Sequence, residues 1–252
     1  MMGIAITQSM DRESTFGWTS IVRLGLVQAC IGAIVVMTTS TLNRIMVVEL
    51  ALPASLPGFL VAIHYFIQVI RPRMGFESDS GSKKSPWIIG GVVILALGGF
   101  GAAIATTLMG VNLIIGILAA TLAFFLIGIG VSMSGTSLLA LLAKGVSDER
   151  RAAAATTVWL MMIFGFALTS GLAGKFLDPY SPQKVILISG IISLVSIAIT
   201  FFALYGLEGP DLENKASSTA VKMPFKIALR EILVDPDTKR FTIFIFLSML
   251  AF

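Results

Sequence analysis

Charge is scarce in this sequence. Only 13% of its 252 residues are Asp, Glu, Lys or Arg, against about 25% in an ordinary soluble domain, while 56% are hydrophobic. Mean hydropathy is +0.93. A water-soluble fold has too little interior to hide so much apolar surface, so hydrocarbon replaces water as the main solvent. Cysteine is nearly absent: Cys30 stands alone, which excludes a disulfide framework and a thiolate metal cluster. Its place inside an apolar run reads as a small buried hydrophobe. Histidine is equally rare, with His64 the single example and no Ser or Cys placed beside it as a nucleophile. Carboxylates do not pair in the apolar runs at a spacing that holds magnesium diphosphate; Glu77 with Asp79 and Asp148 with Glu149 fall in loops beside basic partners. These absences lead to the expectation that the chain is not an enzyme. The net charge of +4 is small, belongs to the loops and comes with no nucleic-acid motif.

Apolar runs at 24–42, 53–70, 87–108, 113–142, 153–174 and 185–207 each approach the roughly 20 residues that cross a bilayer as helix. A seventh opens at Phe241. The expectation is an all-α integral membrane protein, with a cytoplasmic tail over 1–23 and a six-helix transmembrane bundle over 24–207. A cytoplasmic linker over 208–240 and the start of a seventh helix over 241–252 follow. The tail carries Asp11, Arg12 and Glu13 and lacks the short apolar core and cleavage site of a secretory signal. The fourth run exceeds a perpendicular span and implies tilt or extension. The seventh stops at Phe252, too short to cross, which implies an incomplete protein. Of 18 basic residues, 15 fall in the tail or near the loops after runs two, four and six, and only Arg44, Lys175 and Lys184 lie opposite. Basic loops are retained in the cytoplasm, so the N-terminus is expected there. In the linker, Pro224, Phe225, Ala228, Leu229 and Ile232 recur at helical spacing opposite Lys226 and Arg230, the pattern of a short interfacial helix.

Small residues are dense in the runs: Gly90, Gly91, Gly98, Gly99 and Gly101 in the third, and Gly128, Ser132 and Thr136 at four-residue spacing in the fourth. Such spacing lets helix backbones approach closely. His64, Gln68 and Arg71 stand at i, i+4 and i+7 on one helical face. An imidazole in lipid is expensive unless paired or ligating, so this stripe faces other helices or a ligand. Two readings are open for His64: a hydrogen bond to Gln68 or a neighbouring helix, or axial ligation of a chlorophyll magnesium by the neutral ring. No other metal site is expected. The first run adds Gln28 inside it and Thr38, Thr39, Ser40, Thr41 and Asn43 towards its end, beside Arg44 and Glu49. That last pair is a candidate polar gate or a solvated interface pair.

The segment from Gly75 through Asp79 to Lys83 and Lys84 resembles the loop between spans two and three of the major facilitator superfamily, with Ser82 where that motif has its second glycine. The resemblance implies a major facilitator-type N-terminal six-helix bundle. It also implies a loop latch in which Asp79 caps or pairs with a neighbouring helix end and the lysines sit at lipid headgroups. It leaves a secondary transporter of a small solute as the alternative function. A longer ordered string covers Arg23 to Gln28, Thr38 to Pro53, His64-Tyr65, Arg71-Pro72-Arg73 and Pro86 to Gly91. It is similar to the PucC/LhaA family of photosynthetic bacteria. That similarity implies an assembly factor for bacterial light-harvesting antenna complexes, acting by binding rather than catalysis in the inner (photosynthetic, intracytoplasmic) membrane. The implied partners are antenna polypeptides, a reaction-centre antenna complex and membrane lipid. The implied cofactor is bacteriochlorophyll or chlorophyll, with His64 and Gln68 as candidate pigment-binding residues. The family's usual length implies a further C-terminal half of about six spans.

Overall fold

The computed structural model describes residues 16–80, 83–208, 227, 230 and 234–250, without the side chains of 79, 80 and 245–250. Two units divide the chain, Met1–Ser217 and Ser218–Phe252. In the first unit, the regular elements among the described residues are all helices: α1 Trp18–Glu49, α2 Ser55–Ile67, α3 Arg71–Ser80, α4 Ser85–Met109, α5 Leu113–Gly145, α6 Asp148–Phe176 and α7 Pro182–Leu204. Five of them, α1 and α4 to α7, are long and apolar enough to cross a membrane. The protein is an all-α membrane protein.

The second apolar run is not one continuous α-helix. Its α-helix, α2, has only 13 residues, about 20 Å of rise. A tight 3-10 turn at Gln68–Ile70 follows before α3 begins. Pro72 is the physical cause: it has no N–H to return to the Gln68 carbonyl, and its ring crowds that oxygen. The Arg71 N–H takes the carbonyl instead, in the shorter i to i+3 pattern.

Small residues set the helix spacing. A Cβ added to Gly91 of α4 would lie 2.5 Å from the backbone nitrogen of Ser134 on α5, and one on Gly130 of α5 would lie 2.5 Å from that of Leu95. Close backbone approach of this kind replaces the hydrophobic drive that lipid removes. The spaced residues of α5 turn towards α2 and α3: a Cβ on Gly128 would meet the His64 carbonyl oxygen at 2.8 Å, Ser132 donates its hydroxyl to the Gly128 carbonyl at 2.7 Å, and a Cβ on Gly75 would stand 3.0 Å from the Thr136 methyl. On the other side of α1, a Cβ on Gly165 of α6 would come within 2.6 Å of the Ala29 carbonyl.

The last turns of α1 are not regular. Two π-helical stretches, Met37–Thr41 and Ile45–Glu49, widen it. Thr38 and Thr39 donate their hydroxyls to the Val35 carbonyl at 2.9 and 2.8 Å, and Asn43 donates to the Thr39 carbonyl at 2.6 Å. Side chains thus supply donors to backbone carbonyls where the ladder changes pitch. Ala51 then takes a left-handed conformation, φ 49°, and Leu52 N–H donates back to the Met46 carbonyl at 2.9 Å.

The second unit contains α8, Pro236–Leu250, around the seventh apolar run. Asp235 accepts from the Thr238 N–H at 3.0 Å and from its hydroxyl, an N-cap ahead of a proline in the first helical position. Of the expected interfacial helix, Ile227 and Arg230 are helical; Pro224, Phe225, Lys226, Ala228, Leu229 and Ile232 lie outside the described residues.

Candidate functional site

A cavity of about 580 Å³ opens in the first unit, walled by α1, α2, α3, α5 and α6. Its size falls in the range of small-molecule and cofactor sites. Each wall has a local cause. From α2 and the tight turn come His64 and Gln68, one helical turn apart, and Arg71 follows because the helix re-forms past Pro72. Gln28 enters from α1, while Trp159, Met162 and Phe166 of α6 supply a largely apolar floor. Gly32 of α1 and Gly135 of α5 also line it, so two of its walls lack a side chain at those points.

His64 is 1% exposed. Its Nε2 lies 2.9 Å from Gln68 Nε2; an amide nitrogen only donates, so the ring accepts there and carries its proton on Nδ1. That Nδ1 is buried without a hydrogen-bond partner, as is Gln28 Oε1, while Gln28 Nε2 donates to the Met162 sulfur at 3.2 Å. Two unsatisfied polar atoms on buried side chains are costly, and both belong to residues that line the cavity. Among the described residues no cluster of three or more His, Cys, Asp or Glu could hold a bare metal ion. One imidazole fits a metal that already brings four ligands of its own, as the magnesium of a chlorin does. Gln68 must release Nε2 for such ligation through that atom.

The remaining sequence candidates sit elsewhere. Arg44 and Glu49 face each other at 3.7 Å, with Arg44 63% exposed, which is the geometry of a solvated pair. Lys83 is exposed and Lys84 is buried, so Lys84 does not reach towards headgroups as expected; its Nζ donates to the Ser78 carbonyl at 3.4 Å. Asp79 lies in α3, and its side chain is outside the described ones. A helix-end cap does exist at this place, made by Glu208: its carboxylate accepts from Lys84 N–H at 2.9 Å and Ser85 N–H at 2.7 Å. At the same end of the bundle Arg23 donates to the Ala203 carbonyl at 2.8 Å and to that of Tyr205. An anion therefore meets the N-terminus of α4 and a cation the C-terminus of α7, each the favourable sign for the helix dipole. Neither residue was marked by spacing, because each partner is more than 120 positions away.

Fold and cavity together define a polytopic α-helical membrane protein with a ligand-sized, largely apolar internal site. The family model described as PUCC protein matches residues 41–252, and the chain belongs to that family. It is 50% identical over 238 residues to the bacteriochlorophyll synthase 44.5 kDa chain of Rhodobacter capsulatus, a match covering 94% of this chain and 55% of that one. Protein PucC of Rhodobacter capsulatus is 30% identical over 86% of this chain and 50% of its own length. Protein PucC of Cereibacter sphaeroides is 29% identical over 78% and 45%. The chain thus spans about half the length of the curated relatives it matches. The first relative corrects the expectation that the chain is not an enzyme, since a protein 50% identical to it carries an enzyme's name. The expectation rested on the absence of one residue pattern, and the absence of paired carboxylates does not exclude catalysis by other groups.

Proposed function

We propose that this protein handles bacteriochlorophyll during assembly of bacterial light-harvesting antenna, in the photosynthetic inner membrane with its N-terminus in the cytoplasm. The observation that carries the proposal is the cavity at His64, where a buried imidazole nitrogen and a buried amide oxygen lack partners. The relatives' names, one a bacteriochlorophyll synthase chain and others PucC, support it. Bound pigment would supply a Lewis-acidic magnesium and a near-infrared-absorbing ring. His64, now hydrogen-bonded to Gln68, would hold the magnesium through its ring nitrogen, and Trp159 and Phe166 would give flat apolar surface for the macrocycle. Gln28 offers its unpartnered amide oxygen, an acceptor for a hydroxyl or N–H of the ligand. Exposed faces of α6 and α7, with Phe164, Leu194 and Phe202 among their apolar side chains, suit single-span antenna polypeptides.

His64→Ala in a photosynthetic host tests the reading. Antenna absorbance at equal levels of this protein is expected to fall severalfold, and the pigment recovered with it to fall in parallel. Unchanged antenna and unchanged pigment would defeat the assignment of His64.

A further inference from the structure

A second cavity, of about 400 Å³, lies near the C-terminal end of α1 and has different chemistry. Arg44 and Glu49 line it from α1, Ser170 from α6, and Asp178 and Tyr180 from the α6–α7 connection. A 32-residue helix such as α1 is about 48 Å long, well beyond the roughly 30 Å hydrocarbon core. The charged Arg44 and Glu49 in its last turns, and Lys175 and Asp178 at and just beyond the end of the 29-residue α6, place these ends at headgroup depth because charge in hydrocarbon is costly.

The charge pattern is mixed: one guanidinium and two carboxylates line the cavity. Arg44 meets Glu49 only at 3.7 Å and is mostly exposed, so its five-donor fork has capacity for another anion. The Tyr180 hydroxyl, raised above its usual range by burial and by the neighbouring Glu49 charge, adds a hydrogen-bond donor to the lining. Two π stretches bracket Arg44, a rare distortion that concentrates at functional sites. The strained Ala51 follows directly. Leu168, Leu172 and Phe176, exposed on α6 at four-residue spacing, extend an apolar track along the helix that also lines the cavity.

We propose that this cavity binds the headgroup of an aminophospholipid, with the phosphate on Arg44 and the primary ammonium between Glu49 and Asp178. An anionic glycerol headgroup brings no cation to balance the two carboxylates, and a quaternary choline has no N–H to donate to them. The acyl chains lie along the apolar track of α6. This site is independent of the pigment cavity.

The test places the protein in nanodiscs with equal phosphatidylethanolamine, phosphatidylglycerol and phosphatidylcholine, then extracts it gently and quantifies retained lipid by native mass spectrometry. Retention of the ethanolamine lipid by about tenfold over the other two is expected, equivalent to about 1.4 kcal/mol. Arg44→Gln is expected to abolish that preference and Arg44→Lys to keep most of it. Glu49→Gln with Asp178→Asn is expected to switch preference to phosphatidylglycerol, a reversal that misfolding does not produce. Equal retention of all three by the wild type, or an Arg44→Gln variant that keeps the ethanolamine preference, would overturn the proposal. So would tight binding of soluble phosphoethanolamine without lipid retention, since that result assigns the site to a free solute.

Discussion

His64 and Gln68 hold each other at 2.9 Å, which makes Gln68 the side chain that controls access to the ring. Gln68→Ala frees Nε2 without touching the imidazole. If the cavity takes pigment through His64, this variant is expected to bind it at least as tightly as wild type, whereas His64→Ala loses it; pigment titration of the two purified variants separates them. Ala51 offers a simpler test. A left-handed alanine costs about 1 kcal/mol relative to glycine, so Ala51→Gly is expected to raise thermal stability by about that amount, read from detergent-solubilised unfolding curves. His64, Gln68 and Arg71 of the expected stripe all line the cavity, although the 3-10 turn at Gln68–Ile70 interrupts the regular helix that the spacing assumed. It did not place the aromatic floor: α6 is apolar nearly all round, so no periodicity tells which of Trp159, Leu160 or Phe164 turns inward.

Helices reveal a second division between what spacing encodes and what it does not. The four-residue repeat of Gly128, Ser132 and Thr136 marked a packing face, and that face meets α2 and α3. Gly128→Leu is expected to push α2 from α5 and cost about 1–3 kcal/mol as overpacking, with loss of the His64 cavity detectable as loss of ligand binding. The break at Gln68–Ile70 was written in Pro72, yet the apolar run hides it, since hydropathy has no term for a missing N–H. The π stretches of α1 leave still less trace; a threonine-rich segment is compatible with a regular helix too. At α8 the capping carboxylate of Asp235 is held below the usual range, first by the Thr238 hydroxyl and then by its backbone N–H. A carboxyl depressed by folding stabilises the helix above its ordinary range and loses that contribution as pH falls through the lowered value. Acidification below roughly pH 4, or Asp235→Ala, is therefore expected to speed amide hydrogen exchange in the first turn of α8.

For the whole molecule, one end of the bundle is tied by long-range charge contacts rather than by loops. Arg23 ties α1 to the end of α7, and Glu208 ties the chain beyond α7 to the start of α4. Arg23→Met is expected to lower stability by about 1–2 kcal/mol through lost charge-assisted hydrogen bonds, measurable as an earlier unfolding midpoint. The all-helical membrane class was legible from composition and the length of the apolar runs; these ties were not, because tertiary partners far apart in sequence carry no local signature. The central claim concerns the cavity, and near-infrared absorption of the gently purified protein tests it most directly. The account predicts a bacteriochlorophyll band that co-elutes with the protein and is lost in His64→Ala while the fold persists; a colourless wild type, or a band that survives removal of the imidazole unchanged, would contradict it.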